Sequence, residues 1–173
     1  AILGRKEICI LPNNITRILA TKFCDMDLWR KTCFNIAFSA GGMNENNINM
    51  SRLDVFVSHL LGCTSTKTLL HWKQVYESGQ FKEFDYGSKN MEKYNQTTPP
   101  LYDIRRMYTP TIIWSGGEDI MSTQEDTELL LPLLRNLLHY RVIPHWMHYD
   151  FVFGLNACQE LYDELVEIIQ NFP

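Results

Sequence analysis

No two of the nine glycines in this 173-residue sequence stand four apart, so it holds no G-x-S-x-G. That turn is what lifts a serine nucleophile above the edge of an α/β sheet, and it is absent from these residues. None of the five cysteines forms a C-x-x-C pair, which removes zinc-ribbon and thioredoxin-type motifs. No apolar run approaches the roughly 18 residues of a membrane span, so no transmembrane segment is expected. Charge of one sign is not in excess either. Sixteen Lys and Arg against twenty Asp and Glu give a net charge of −4, with no basic stripe, so nucleic acid is not an expected partner. Nothing in the sequence implies a cofactor or a metal. It begins with Ala1 and shows no signal-peptide pattern, and the expectation is that translation began elsewhere. What is present is ordinary for a globular protein: 45% hydrophobic and 21% charged residues. A chain of this length can bury about 70% of its unfolded surface.

The cysteines are Cys9, Cys24, Cys33, Cys63 and Cys158. An odd number leaves at least one thiol free or paired outside the chain. Cys24 and Cys33 lie nine apart in a segment that reads as two helices around a turn. A disulfide there would add on the order of 2–3 kcal/mol, while five buried reduced thiols are the plainer alternative. Three N-x-S/T sequons, at Asn14, Asn49 and Asn95, shift the balance towards the secretory pathway.

Residues 1–103 read as mainly helical. Ile15, Ile18, Leu19 and Phe23, then Trp29, Cys33, Ile36 and Ala37, fall at three-and-four spacing. Gly41 to Asn47 reads as a loop, Leu53 to Leu60 as a short helix, and Thr64 or Ser65 as the cap of a further helix ending near Gly79. Residues 104–173 differ. Thr111-Ile112-Ile113-Trp114 reads as a buried strand stopped by Gly116-Gly117, and Ser122 to Glu125 as a capping box. Leu129, Leu130, Leu133, Leu134 and Leu137 line one predicted helix face, with Pro132 as a bend. Tyr140 to Ile143 reads as a second strand and Gln159 to Gln170 as the last helix. Strand, helix, strand, helix is an α/β pattern with parallel strands.

Asp119 follows the first of these strands and His148 follows the second, so both sit at carboxyl ends, where sites gather in open α/β sheets. A carboxylate that accepts from an imidazole fixes its tautomer, as a hydrolytic triad needs. The order Asp then His is the tail of the order Ser, Asp, His in α/β-hydrolases. A turn-capping Asp and a surface His are the plain alternative. His145, His148 and Asp150 also allow a metal reading, but H-x-x-H-x-D in a loop lacks the helical spacing of a zincin.

These residues resemble a known family. Trp114-Ser115-Gly116-Gly117-Glu118-Asp119 and, from His148, His148-Tyr149-Asp150-Phe151 are similar to the end of the mammalian acid lipases, a group that includes lysosomal acid lipase and gastric lipase. Ser51-Arg52-Leu53-Asp54-Val55, His71-Trp72, Phe84 to Ser88 and Tyr94-Asn95-Gln96 fall in matching order, so the resemblance covers nearly the whole chain. It implies the C-terminal part of an α/β-hydrolase fold. Residues 1–103 would be a mainly helical cap with a lid near residues 10–39, and residues 104–173 the end of the core. It also implies that Asp119 and His148 are the acid and base of a Ser-Asp-His triad, and that Cys24 pairs with Cys33. The implied substrate is a neutral lipid ester, triacylglycerol or cholesteryl ester, met at a lipid–water interface in the lysosome or outside the cell. Gly41 stands where the family has a cysteine, Tyr149 where an aliphatic residue is usual, and Thr123 where an Asp is frequent. His59-Leu60-Leu61-Gly62-Cys63-Thr64-Ser65 departs from H-x-P-A-G-T-S.

With no serine elbow, the nucleophile and the N-terminal half of such a fold lie outside this sequence. The chain alone is expected to be inactive. A non-catalytic lipid-binding or interaction protein, or a truncated fragment without independent function, is the alternative.

Overall fold

The computed structural model describes residues 6–9, 14–60 and 62–172, with the side chains of 15, 16 and 19 outside that description. In chain order the elements are β1 (Glu7–Cys9), α1 (Asn14–Asp25), α2 (Asp27–Ala37), α3 (Leu53–Leu60), β2 (Cys63–Ser65), α4 (Thr66–Ser78), α5 (Asn90–Tyr94), β3 (Thr111–Gly116), α6 (Gln124–Leu130), β4 (Leu137–Ile143), α7 (Asp150–Phe153) and α8 (Asp163–Asn171). They form two compact units, one from residues 1–13 and 61–104 and one from residues 14–60 and 105–173.

In the first unit β1 and β2 pair antiparallel with Cys9 opposite Cys63, and a disulfide joins the two. The spacing analysis did not anticipate this bond, because its partners are 54 residues apart and only strand pairing brings them together. Ser65 caps α4 by accepting from the Lys67 N–H at 3.1 Å, and Gly79 ends the helix in the left-handed region, where glycine has no Cβ penalty. The irregular segment that follows is held by side chains bonded to backbone. Gln74 donates to the Asp85 carbonyl and accepts from the Asp85 N–H, both at 2.9 Å. Asn90, buried, accepts from the Tyr86 N–H and donates to the Asp85 carboxylate, both at 2.8 Å.

In the second unit a disulfide ties Cys24 in α1 to Cys33 in α2, and both are buried. Phe34, Phe38, Leu53 and Val57 bury the inner faces of α2 and α3. Phe38 and Phe56 stack on Phe153 of α7, at centroid distances of 5.9 and 4.8 Å. β3 and β4 are parallel, with Ile113 beside Tyr140 and Gly116 beside Ile143. A second core of Ile143, Trp146, Ala157 and Leu161, covered by Trp114 and Phe151, lies at this sheet.

Four boundaries differ from those the spacing predicts. The leucine-rich helix stops at Leu130, because Pro132 has no N–H to continue it and enters a short 3₁₀ turn, Leu131–Leu133. Leu137, assigned to that helix face, opens β4 instead. Thr123 rather than Ser122 caps α6, its Oγ1 accepting from the Asp126 N–H at 3.3 Å. The last helix begins with a π-helical turn, Cys158–Tyr162, before α8. Among the described residues no helix is long and apolar enough to cross a membrane.

Alkylation of the native protein without reductant is expected to label one cysteine, Cys158, and all five after reduction and unfolding. Mass spectrometry of the labelled peptides reads the result. Label at Cys24 and Cys33 before reduction would show that pair unmade.

Candidate active site

Because β3 and β4 run parallel, both chains leave the sheet at the same edge. Their exit loops are stitched together by backbone bonds. The Gly117 N–H donates to the Ile143 carbonyl at 2.9 Å and the Glu118 N–H to the Trp146 carbonyl at 3.0 Å. This approach requires glycine. A Cβ on Gly116 would lie 2.4 Å from the Trp146 carbonyl oxygen, and one on Gly117 would lie 2.4 Å from that of Pro144. Backbone cannot yield as a flexible side chain can, so these two glycines set how closely the loops approach.

Asp119 follows directly after that crossing. Its side chain is 4% exposed. Oδ1 accepts from the Met121 and Ser122 N–H groups at 2.8 and 2.9 Å, an Asx turn that fixes the carboxylate plane. Oδ2 faces His148 Nδ1 at 3.0 Å. A carboxylate can only accept, so the neutral ring carries its proton on Nδ1 and leaves Nε2 with its lone pair. The His148 side chain is 38% exposed, so the ring is not sealed in. A held carboxylate, an oriented imidazole and a free Nε2 can take a proton from a hydroxyl and later return it.

His148 is also gripped from behind. Its N–H donates to the Gly41 carbonyl, and the Tyr149 N–H donates to that of Gly42, both at 3.2 Å. Tyr149 packs edge-on against His148 and Phe38, with centroids 5.3 Å away in each case. A Cβ on Gly41 would fall 2.9 Å from both His148 Cβ and Tyr149 Cε2. Two of the positions that depart from the resemblance, 41 and 149, are therefore neighbours in the fold, both beside His148.

The remaining candidates lie apart from this pair. Asp150 is fully buried and both its oxygens accept N–H groups, so its carboxylate is turned to Asn44, Asn47 and Met147 while His145 is exposed. Among the described residues no three His, Cys, Asp or Glu side chains gather as metal ligands. Asn14 opens α1, Asn49 caps a 3₁₀ turn by accepting from Ser51, and Asn95 ends α5 at a φ of 55°; all three are exposed. Sequence reasoning missed the 41–47 segment as part of the site. Gly41-Gly42 marked a loop, and no local signal says which distant backbone a loop will bind.

The crowding at Gly41 gives an expected outcome. Gly41→Ala should cost on the order of 1–3 kcal/mol of stability, and the cost should shrink when Tyr149→Leu is made alongside it. A double-mutant cycle by guanidinium unfolding measures this, and additive losses would remove the steric coupling.

No protein-family model matches the chain. Curated proteins do. Lipase member K of Homo sapiens is 44% identical over 158 residues, covering 90% of this chain and 40% of that protein. Lipase member M of Homo sapiens is 40% identical over 172 residues, 98% of this chain and 40% of that protein. The lysosomal acid lipase/cholesteryl ester hydrolase of Rattus norvegicus is 38% identical over 174 residues, 99% of this chain and 43% of that protein. The chain thus spans about two fifths of the length of the curated relatives it matches. With identity near 40% sustained along almost all of its residues, the chain belongs to the acid lipase family.

Proposed function

We propose that this chain is the Asp- and His-bearing portion of an acid-lipase-type carboxylic ester hydrolase whose serine nucleophile lies outside these 173 residues. The observation that carries this reading is the 3.0 Å contact between Asp119 Oδ2 and His148 Nδ1 at the carboxyl edge of a parallel strand pair. In the complete enzyme a serine hydroxyl gives its proton to His148 Nε2 and attacks the ester carbonyl. His148 then protonates the departing alcohol. Water, deprotonated by the same nitrogen, cleaves the acyl-enzyme. Asp119 orients the ring and stabilises the imidazolium.

In this reading residues 104–173 are the end of an α/β-hydrolase core and residues 1–103 a mainly helical cap. The proposed lid, residues 10–39, begins with 10–13, outside the described residues. Further along it, Ile18, Met26, Leu28 and Ile36 are more than half exposed, which suits a segment that meets a lipid surface. A neutral lipid ester, triacylglycerol or cholesteryl ester, is the proposed substrate. Two disulfides and three exposed sequon asparagines support a lumenal or extracellular protein.

In the full-length protein Asp119→Asn should lower kcat by up to about four decades, as in serine protease triads, because the ring loses its oriented tautomer. A loss under tenfold would remove Asp119 from the role. The 173-residue chain by itself should not hydrolyse a short-chain p-nitrophenyl ester. Hydrolysis by the purified chain, abolished in His148→Ala, would overturn the assignment of the nucleophile to another segment. Lipid binding by the full-length protein, unchanged in His148→Ala and without ester cleavage, would favour the non-catalytic alternative.

A further inference from the structure

Asp150 is a buried carboxylate two residues from His148, and the hydrolytic mechanism does not use it. Its relative exposure is 0%, and among the described residues no cation pairs with it. Removing a charge from water without a cation is costly, and the cost is tolerable only if N–H donors replace the solvent. Three do. Oδ1 accepts from Asn47 Nδ2 at 2.6 Å, and Oδ2 accepts from the Met147 N–H at 2.8 Å and the Asn44 N–H at 3.4 Å. One carboxylate thus joins the residue before His148 to a segment about a hundred positions earlier.

Asn47 completes the connection. Its backbone carbonyl accepts from the Leu155 N–H at 2.7 Å and its Oδ1 from the Asn156 N–H at 3.3 Å. Ile48, buried, forms an isolated antiparallel bridge with Gly154. Both ends of α7 are therefore tied to residues 44–48. The N–H groups of Met147, His148 and Tyr149 donate to Asp150, Gly41 and Gly42 respectively. Three consecutive amides around His148 are spoken for, and none uses a bond of the β3–β4 sheet.

We propose that Asn47 and Asp150 are positioning residues for His148. Their buried amide–carboxylate bond fixes the backbone from which the imidazole projects, so that Nδ1 meets Asp119 while Nε2 keeps its place for the serine hydroxyl. This rests on the hydrolase reading above. A displacement near 1 Å at a reacting group can cost about 100-fold in rate. An apolar residue at 150 would leave the Asn44, Asn47 and Met147 N–H groups without their acceptor, so the carboxylate holds this turn together as well as aiming His148, and the rate per active site separates the two effects.

The bond can be reversed, which supplies the test in the full-length protein. Asp150→Asn replaces one acceptor oxygen by an NH2 that must face either Asn47 Nδ2 or the Met147 N–H, and Asn47→Asp sets two carboxylates face to face. The double variant restores one amide and one carboxylate, with acceptors still available to the Met147 and Asn156 N–H groups. Active sites are counted with an irreversible phosphonate, and kcat and KM for a short-chain p-nitrophenyl ester are expressed per titrated site. Each single variant should lose about 10- to 100-fold in kcat with KM within about twofold, and the double variant should return to within about fivefold of the parent. The downfield proton of the Asp119–His148 bond should vanish in the single variants and return in the double.

Single variants whose kcat per titrated site stays within about twofold of the parent would overturn the proposal, whatever their yield, since a purely structural role changes only how many sites form. A loss that the double variant does not recover would overturn the pairing. Should Asp150→Asn not fold, Asn47→Ala carries the test, with about a tenfold loss of kcat expected and a loss under twofold fatal. His148→Ala keeps the two readings apart. If it leaves hydrolysis intact, the hydrolase reading fails; if it abolishes hydrolysis while the 47 and 150 variants match the parent, only the positioning role fails.

Discussion

Two backbone hydrogen bonds between the loops leaving β3 and β4 govern the rest of the site: Gly117 N–H to the Ile143 carbonyl, and Glu118 N–H to the Trp146 carbonyl. They bring a carboxylate and an imidazole 29 residues apart in sequence to hydrogen-bonding distance. Trp146 makes them rigid. At 2% exposure, it is wedged among Ile143, Ala157, Leu161, Trp114 and Phe151, so its carbonyl presents a fixed point to the first loop. Asp119 is then aimed by its own Asx turn, whether or not His148 is present. The pair is preorganised on the carboxylate side by local backbone and on the imidazole side by long-range backbone. In the proposed mechanism the imidazole must present its Nε2 lone pair each time it takes a proton, and that needs both.

On the sheet itself a second polar cluster fastens the C-terminal helix. Glu164 accepts from Trp114 Nε1 and from Arg141 Nη1, each at 2.9 Å, and Arg141 Nη2 reaches Glu160 at 3.0 Å. These side chains are about a third exposed, so each ion pair contributes little by itself. Their value is directional. A guanidinium fork binding two glutamates one turn apart fixes the rotation of the helix over β4, and with it the side chains that cover Trp146.

The placement of Asp119 and His148 at one sheet edge was legible from local features, an apolar β-branched run, a glycine stop and a second run; their proposed roles rest on the family resemblance. Parallel pairing followed from the helix between the two runs. The ends of the leucine-rich segment were not legible. Leu129 through Leu138 is apolar on almost any period, so helix and strand templates both fit until Pro132 and the pairing with β3 decide. Cys9 and Cys63 looked like stray thiols, since nothing local aligns residues 54 apart. Asp150 carried no role in the sequence beyond a metal reading that its loop spacing disfavoured, whereas the structure surrounds it with N–H donors from Asn44, Asn47 and Met147. The sequence displays chemistry near in the chain; the residues that hold His148 from behind are near only in space.

That distinction bears on how departures from a family pattern are weighed. Taken along the sequence, glycine for cysteine at 41 and an aromatic for an aliphatic at 149 are two unrelated losses. In the fold they are one exchange of volume. The edge of the Tyr149 ring occupies the space that a side chain at 41 would fill, and the same contact seats Tyr149 against Phe38, Phe153 and the face of His148. A larger residue at 149 with any Cβ at 41 would push the His148 backbone away from Gly41, whose carbonyl it binds. Glycine at 41 lets that hydrogen bond persist beside the larger ring. Gly41 and Tyr149 together thus form the wall beside the imidazole, with the Asp119–His148 contact held at 3.0 Å. That wall acts on what packs next to the ring rather than on its nitrogens.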